Sequence, residues 1–466
     1  MIKTIIQKEM LDNMLSLRFM ITLVLCLVLI PLSIFVSARQ YEKSLQDYNQ
    51  SVSLYRESMH GMRNAVDVEV RGIRPPSPFS IFAGGLEKTL PNEFVSTRDS
   101  GLLMENNRTI DDPLSALFGK MDFLFLVGIV LSLMAILFTF DAVTREAERG
   151  TLRLAVSNSL PRHHILIGKY AGHFFTFLIP YAASLLIGIL VLSVSGIVNL
   201  FQGEYLVRLL VIIAASLLYI SVFFNLGLLV STLTRRSLTA QISLLFIWVL
   251  LIFVLPRASH IAARIVHPVK TQQTVNLEKA LVRKNIEDEK AAALNQEFSR
   301  NLNDNTNEGA LKYEEIRAPI VARLKQKENE QLASIEREYR LNKNRQLRLA
   351  SGISRISPLA SFTFALTELS NTGIIQMDNI FEQAGQFHET INREVHSQGY
   401  KDNIPGLGMR MRMGWINTES IPKFYMQNPR LSQTMQKVWI DIFLLFFFNI
   451  LFFAAAYMFF IRYDVR

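Results

Sequence analysis

The sequence predicts a mainly α-helical membrane protein, with six transmembrane helices and two large, largely helical polar insertions. Three observations predict it. Half of the 466 residues are apolar, and they fall in clusters rather than being spread along the chain. Several of these runs are uninterrupted for the roughly 18 to 25 residues that cross a hydrocarbon core as helix. Between them lie two polar stretches, 39–120 and 257–437, that are far too long for ordinary connections.

The formal net charge is +9. A basic chain suggests nucleic acid or a membrane, and here the membrane suffices, because cytoplasmic loops accumulate Lys and Arg beside anionic headgroups. The sequence holds no basic helix interleaved with aromatics and no nucleic-acid motif, so no nucleic-acid partner is expected. The single cysteine, Cys26, lies inside the first apolar run. One cysteine excludes an internal disulfide framework and a cysteine-based zinc site.

Residues 1–18 place Ile2, Ile5, Ile6, Met10, Met14 and Leu17 at helical spacings between charged residues. This reads as an interfacial helix lying on the membrane, with a frayed terminus as the alternative. The first span covers 19–38. Val36-Ser37-Ala38 resembles a signal cleavage site, but the apolar run is too long for a signal peptide and its leader carries acids, so it reads as a retained anchor. The first insertion, 39–120, opens with a helical pattern. Pro75, Pro76 and Pro78 then forbid helix, and Gly84-Gly85 adds a turn.

The second span, 121–140, leads to a charged island at 141–169. The third span, 170–195, carries Pro180, which predicts a kink. The fourth span, 206–230, places Asn225 at membrane depth, as part of a translocation path or as a helix–helix hydrogen bond. The fifth span covers 238–256. The second insertion, 257–437, contains two charged helical stretches at about 274–349, broken by the DNTNEG turn, which predict an antiparallel helical hairpin. After Gly352, ISPLASFTFALTELSNTG is apolar but too short to span, and suits an interfacial or re-entrant helix. The last span, 438–461, is rich in phenylalanine. Phe447 and its neighbours either line a lipid-binding path or face bulk lipid.

Six spans put both termini on one side. The short connections holding Arg145, Arg149, Arg153, Arg162, Lys169, Arg235 and Arg236 share that side with Lys3, Lys8, Arg18, Arg462 and Arg466. The positive-inside rule makes it cytoplasmic and leaves both insertions outside.

The island carries the most specific pattern in the chain. It reads Glu146-x-Glu148-Arg149-Gly150-Thr151-Leu152, then Ser159-x-Pro161-Arg162, then Gly168-Lys169. This resembles the cytoplasmic loop of ABC-2 type exporter permeases, which carry an E-x-E-x-G-T-L run, a small-Pro-x-Arg turn and a G-K entering the next span. The position after the second span matches as well. The resemblance covers the membrane core, about half of the chain. It departs from the family in its long outer connections, which resemble a subgroup with extracytoplasmic insertions.

The resemblance implies the membrane subunit of an ATP-driven exporter in the inner membrane, working as a pair of permease copies, identical or homologous. A separate ATPase subunit would dock on a coupling helix running from Glu146 to Leu154. The residues it assigns to coupling are Glu146, Glu148, Arg149, Gly150, Thr151, Leu152, Arg153, Pro161, Arg162, Gly168 and Lys169. Lipid surrounds such a core, and ATP with magnesium would sit on the partner, leaving no cofactor on this chain. Gly168-Lys169 is not a phosphate-binding loop, because His163 and Tyr170 stand where Gly and Ser or Thr are required. A second reading makes the chain a scaffold that drives an envelope partner through the outer hairpin.

Two further motifs stay bland. Met409, Met411 and Met413 offer thioethers to Cu(I), but an amphipathic segment packing near Trp415 explains them as well. His163 and His164 are adjacent and do not share a helical face. No metal site and no catalytic residues are expected, so the chain reads as a non-enzyme.

Overall fold

A computed structural model describes residues 2–60, 69–97, 101–105, 121–152, 161–199, 201–301, 307–396 and 421–462. They form two compact units. The first takes the described residues of 2–255, 355–396 and 421–462, and the second is Pro256–Ser354. Among the described residues, six helices are long and apolar enough to cross a membrane: Leu17–Met59, Phe123–Glu148, Arg162–Ser195, Gly203–Leu233, Ser237–Val266 and Leu431–Ile461.

In the first unit, α1 (Ile2–Met14) precedes α2 (Leu17–His60), which has 44 residues. The expected span and the helical opening of the first insertion are therefore one helix. No glycine or proline falls between Leu32 and His60, so nothing in the sequence stops it.

Beyond α2 the described residues of the insertion form strands rather than long helix. Strands β1 (Val70–Ile73), β2 (Glu93–Thr97) and β3 (Gly101–Glu105) form an antiparallel sheet in that order. Such short strands leave too few alternating positions to be read in advance. Arg74 and Glu87 make a buried ion pair at 3.1 Å beside the sheet.

Helix α3 runs as Phe123–Phe125, a π-helical stretch Leu126–Leu131, and Ser132–Thr139. Asp122 caps it, accepting from Phe125 N at 2.9 Å, while its other oxygen accepts from Gly84 N at 2.9 Å. In the π stretch Ser132 N turns to Ile129 O, which leaves the Gly128 carbonyl off the ladder. Tyr219 Oη donates to that carbonyl at 2.6 Å and Ser132 Oγ at 2.7 Å.

After α4 (Thr144–Glu148) come α5 (Arg162–Ser195) and α6 (Gly203–Leu233). Helix α5 starts well before residue 170, so Gly168 and Lys169 lie inside it rather than at its entrance. It runs on through Pro180. Helix α7 (Ser237–Val249) ends in a second π stretch, Leu250–Val254.

Helix α11 (Pro358–Leu369) follows Ser357. Nine of its twelve residues are buried, and Phe362 stacks on Tyr219 with ring centroids 4.4 Å apart. It is packed into the bundle rather than laid on a surface. Helix α12 (Ile374–Ile391) leads to a π turn, Asn392–His396, and α13 (Leu431–Ile461) closes the unit, starting before the expected 438. The main core joins buried side chains of α2, α3, α5, α6, α7, α11 and α13, with Phe138, Phe177 and Phe224 in edge-to-face contact.

The second unit begins with α8 (Leu255–Val266), where Pro256 occupies the first turn and lacks only an N–H that a first turn leaves unpaired. Helices α9 (Gln272–Asn301) and α10 (Asn307–Ser354) form the hairpin. Its antiparallel register is fixed by Lys279–Glu336 at 2.6 Å and Lys327–Glu289 at 2.7 Å, with Val275, Ile286 and Leu324 buried beside them.

Candidate functional site

The island folds as a short helix, a break and an anchor. Helix α4 has only five residues, because Gly150 adopts φ +73° and ends it. A Cβ at Gly150 would meet nothing within 4 Å, so glycine is required for its backbone and not for space. The expected continuous helix from Glu146 to Leu154 is therefore broken at Gly150. Leu152 then turns inward, buried with Ala142, Val143, Ile165, Leu166, Leu228 and Phe460. Arg153 and Leu154 lie outside the described residues.

The three carboxylates before the break each reach a different helix. Asp141 holds Arg18 of α2 in a two-point pair, both contacts at 2.9 Å, and Arg18 also stacks over Phe140. Glu146 lies 2.9 Å from Lys169 of α5 and 3.1 Å from Lys8 of α1. Glu148 accepts from Ser237 N at 2.8 Å and Ser237 Oγ at 2.9 Å, which caps α7. Backbone groups join in: Ser231 Oγ of α6 accepts from Val143 N at 3.0 Å and from Thr144 N at 3.3 Å.

Past the break, Thr151 Oγ1 donates to Glu146 O at 3.3 Å. Pro161 precedes α5, and Arg162 donates to the carbonyls of Phe460 and Ile461 at the end of α13. Four spanning helices, α2, α5, α6 and α7, therefore meet the short segment 141–148. Arg149, Gly150 and Thr151 face outward, and Arg149 has no ion-pair partner among the described residues.

Helix α1 docks on α5 and does not lie free. A Cβ on Gly168 would sit 2.6 Å from Ile5 Cγ2, and one on Gly172 would sit 2.5 Å from Glu9 Cβ, so the two glycines are the seat of α1. Glu9 is buried there, 3.1 Å from Lys169 Nζ and 4.0 Å from His173 Nδ1. His173 Nδ1 bonds the Lys169 carbonyl at 2.8 Å. Burial would lower the pKa of Lys8, but Glu146, Glu9 and Asp12 outweigh it and hold Lys8 above the usual lysine value.

The other residues singled out are placed apart from this site. Asn225 is buried between α6 and α13, donating to Asn449 Oδ1 at 2.8 Å, while Ser221 Oγ donates to the same oxygen at 2.6 Å. Phe447 is 45% exposed on α13 and packs against Phe448. His163 and His164 have ring centroids 4.3 Å apart at the start of α5. Among the described residues, no three His, Cys, Asp or Glu side chains are grouped to hold a metal. Met409, Met411, Met413 and Trp415 lie outside the described residues. Ser96 Oγ sits 2.8 Å from His388 Nδ1, but the serine is fully buried and offers no path to a substrate.

Sequence reasoning missed Glu9, Arg18, Asp141, Gly172, Ser231 and Ser237 as parts of the site. One signal was visible. Gly168-x-x-x-Gly172 puts two small residues on one helical face, the spacing that lets a second helix approach closely.

This geometry sets a six-span bundle whose charged loop, between the second and third spans, is wired to its neighbours and leaves one turn exposed. The ABC-2 family transporter protein family matches residues 3–465, and the chain belongs to it. It is a multi-pass membrane protein of the transmembrane-subunit class in ABC transporters. The chain is also similar to the probable multidrug ABC transporter permease YbhS of Escherichia coli K12, at 28% identity over 114 residues. YbhS of Escherichia coli O157:H7 matches equally. The match covers 24% of this chain and 28% of the relatives' own length.

Proposed function

We propose that the chain is the permease subunit of an ATP-driven exporter, with a separate ATPase docking on the exposed turn of α4 at Glu148–Thr151. The carrying observation is the wiring of that turn. Asp141, Glu146 and Glu148 reach α2, α5 and α7, and Ser231 of α6 holds the backbone of Val143 and Thr144, so a push on this short segment is felt by four spans. Two permease copies and two ATPases make the working unit. ATP and magnesium bind the ATPase, and closure of the nucleotide sites shifts the membrane pair between inward-open and outward-open states. The loop and both termini face the cytoplasm, and the two insertions face outward from the inner membrane. Export of small molecules is favoured by the relatives' printed description as multidrug permeases.

The test is co-purification with the ATPase and ATP-driven flux for Glu148→Ala and Gly150→Val. Both variants should uncouple hydrolysis from flux or release the ATPase. Normal assembly and flux in both would overturn the docking assignment.

The hairpin supports a second reading, mechanical work on an envelope partner. Its cross-helix ion pairs stiffen two arms, and α9 alone is about 45 Å long at 1.5 Å per residue. Deleting Thr274–Leu349 separates the readings. A transporter keeps flux, whereas a transmission device loses its role.

A further inference from the structure

The end of the bundle remote from the charged loop has its own junction, built on Arg208. This arginine is 2% exposed near the start of α6, and its guanidinium serves four acceptors. It donates to Leu369 O at 2.9 Å, Asn371 Oδ1 at 2.8 Å, Glu204 Oε1 at 2.9 Å and Pro429 O at 3.2 Å. Glu204 in turn accepts from Leu431 N at 2.6 Å, capping α13. The turn after α11 is thereby gripped from one side.

The first insertion grips the same turn from the other. Ser77 Oγ donates to Ser370 O at 2.7 Å, Thr372 Oγ1 to Ala83 O at 2.9 Å, and Leu86 N to Thr372 O at 2.8 Å. Asn371 holds φ +54°, a left-handed conformation that its asparagine side chain tolerates best. Backbone at such angles persists where its surroundings over-determine it.

Helices α6 and α13 connect the two ends. They are pinned at mid-length by Asn449, whose amide also donates to Leu218 O and Leu445 O, both at 2.9 Å. At the loop end, Arg162 holds the last carbonyls of α13, and Ser231 of α6 holds the backbone of α4's first turn. At the far end, Glu204 caps the first residue of α13 and Arg208 holds the Pro429 carbonyl just ahead of it. Each helix has 31 residues and spans about 46 Å at 1.5 Å per residue.

We infer that α6 and α13 act as one pinned rod, with Arg162 and Arg208 as its positioning residues. The rod delivers motion of the α4 turn to the turn Leu369–Gly373, where the first insertion meets α11 and α12. Movement at the loop end pulls on α13 by its C-terminal carbonyls. Because Asn449 locks the pair against sliding, the displacement reaches Arg208 instead of dissipating between the helices. The delivery point is a turn held from both sides, so a small shift of Arg208 loosens one of its two grips. This rests on the coupling role proposed above.

The experiment reads the link in the permease alone, so a broken link and a missing ATPase give different results. The full chain is placed in nanodiscs of mixed zwitterionic and anionic phospholipid, and amide hydrogen exchange is followed residue by residue. Arg162→Gln should speed exchange at Ser370, Asn371 and Thr372, roughly two- to thirtyfold for a coupling of the usual size. Exchange in α9 should be unchanged. Arg162→Lys, which keeps a cationic donor to the α13 carbonyls, should return the turn to within twofold or so of wild type. Coupling is reciprocal, so Arg208→Gln should speed exchange at Val143 and Thr144. Wild-type exchange at the turn in Arg162→Gln overturns the inference. So does a rise that spreads equally to α9, because that reports general loosening and not a link.

Discussion

Lys169 Nζ lies 2.9 Å from Glu146 Oε1, which ties the charged loop to α5 through a lysine only 2% exposed. The same ammonium also holds Glu9, so one buried cation serves a buried and a half-buried carboxylate from different elements. Lys169→Met should lower stability by about 3–5 kcal/mol, because it leaves Glu9 buried with its main partner gone. The triple variant Lys169→Met, Glu9→Gln, Glu146→Gln should recover most of that loss, since the only charge left without its partner, Lys8, is exposed. Apparent melting temperatures in nanodiscs check both statements.

Gly172 is the tighter half of α1's seat, with Ile6 O 3.3 Å from where a Cβ would stand. Gly172→Val should overpack the seam at a cost of about 1–3 kcal/mol and lift α1 off α5. A cysteine placed at Ile5 should then react faster with a maleimide than in the parent chain. Unchanged labelling would mean that the two glycines are not what seats the helix.

Glu148 supplies both acceptors at the start of α7, and helix caps of this kind are worth about 0.5–2 kcal/mol. Glu148→Gln keeps an oxygen acceptor and should lose less than Glu148→Ala. The ordering of melting temperatures, parent above Gln above Ala, is the expected result. Equal values for Gln and Ala would show that Ser237 is capped by something else.

Glu368 gives the chain a pH response. Its carboxyl is packed over Gly373, at the start of α12, and burial raises its pKa to about 7 although Ile375 N and Ile374 N donate to it. The fold therefore favours the protonated form. That contribution is complete below the ordinary glutamate pKa near 4.5, declines as pH rises, and is gone above about 7. Melting temperature should fall between pH 5 and pH 7 and then level. Glu368→Gln, neutral at every pH, should flatten this part of the profile, and a slope equal to the parent's would assign it to other groups.

The spans were legible because each is a run of apolar residues long enough to need no tertiary information. The left-handed break at Gly150 was not, because a lone glycine inside a charged helical stretch does not show by itself that it takes positive φ. The anchors were not. Glu9 and Lys169 are 160 positions apart, and Glu148 meets Ser237 across 89, so nothing local marks them as partners. Boundaries failed where two environments share one helix. Lys169 looked like the end of a loop because it is charged, yet Glu9 and Glu146 let it lie inside α5. The strands failed for lack of length, since Val70–Ile73 carries too little alternation to compete with a helix read through its neighbours.

The π stretch in α3 has a consequence for how this span tolerates change. A π turn is an α-helix with one residue inserted, so the halves of α3 on either side of Leu126–Leu131 are out of phase by one position. Removing a single residue, Ile129 for instance, would restore a regular α-helical hydrogen-bond ladder through the span. It would also turn one half by about 100° against the other, at 3.6 residues per turn. Asp122 would swing away from Gly84 while Asp141 still faced Arg18. The extra residue thus acts as a phase setter, letting one straight span present the correct side to two junctions whose directions differ.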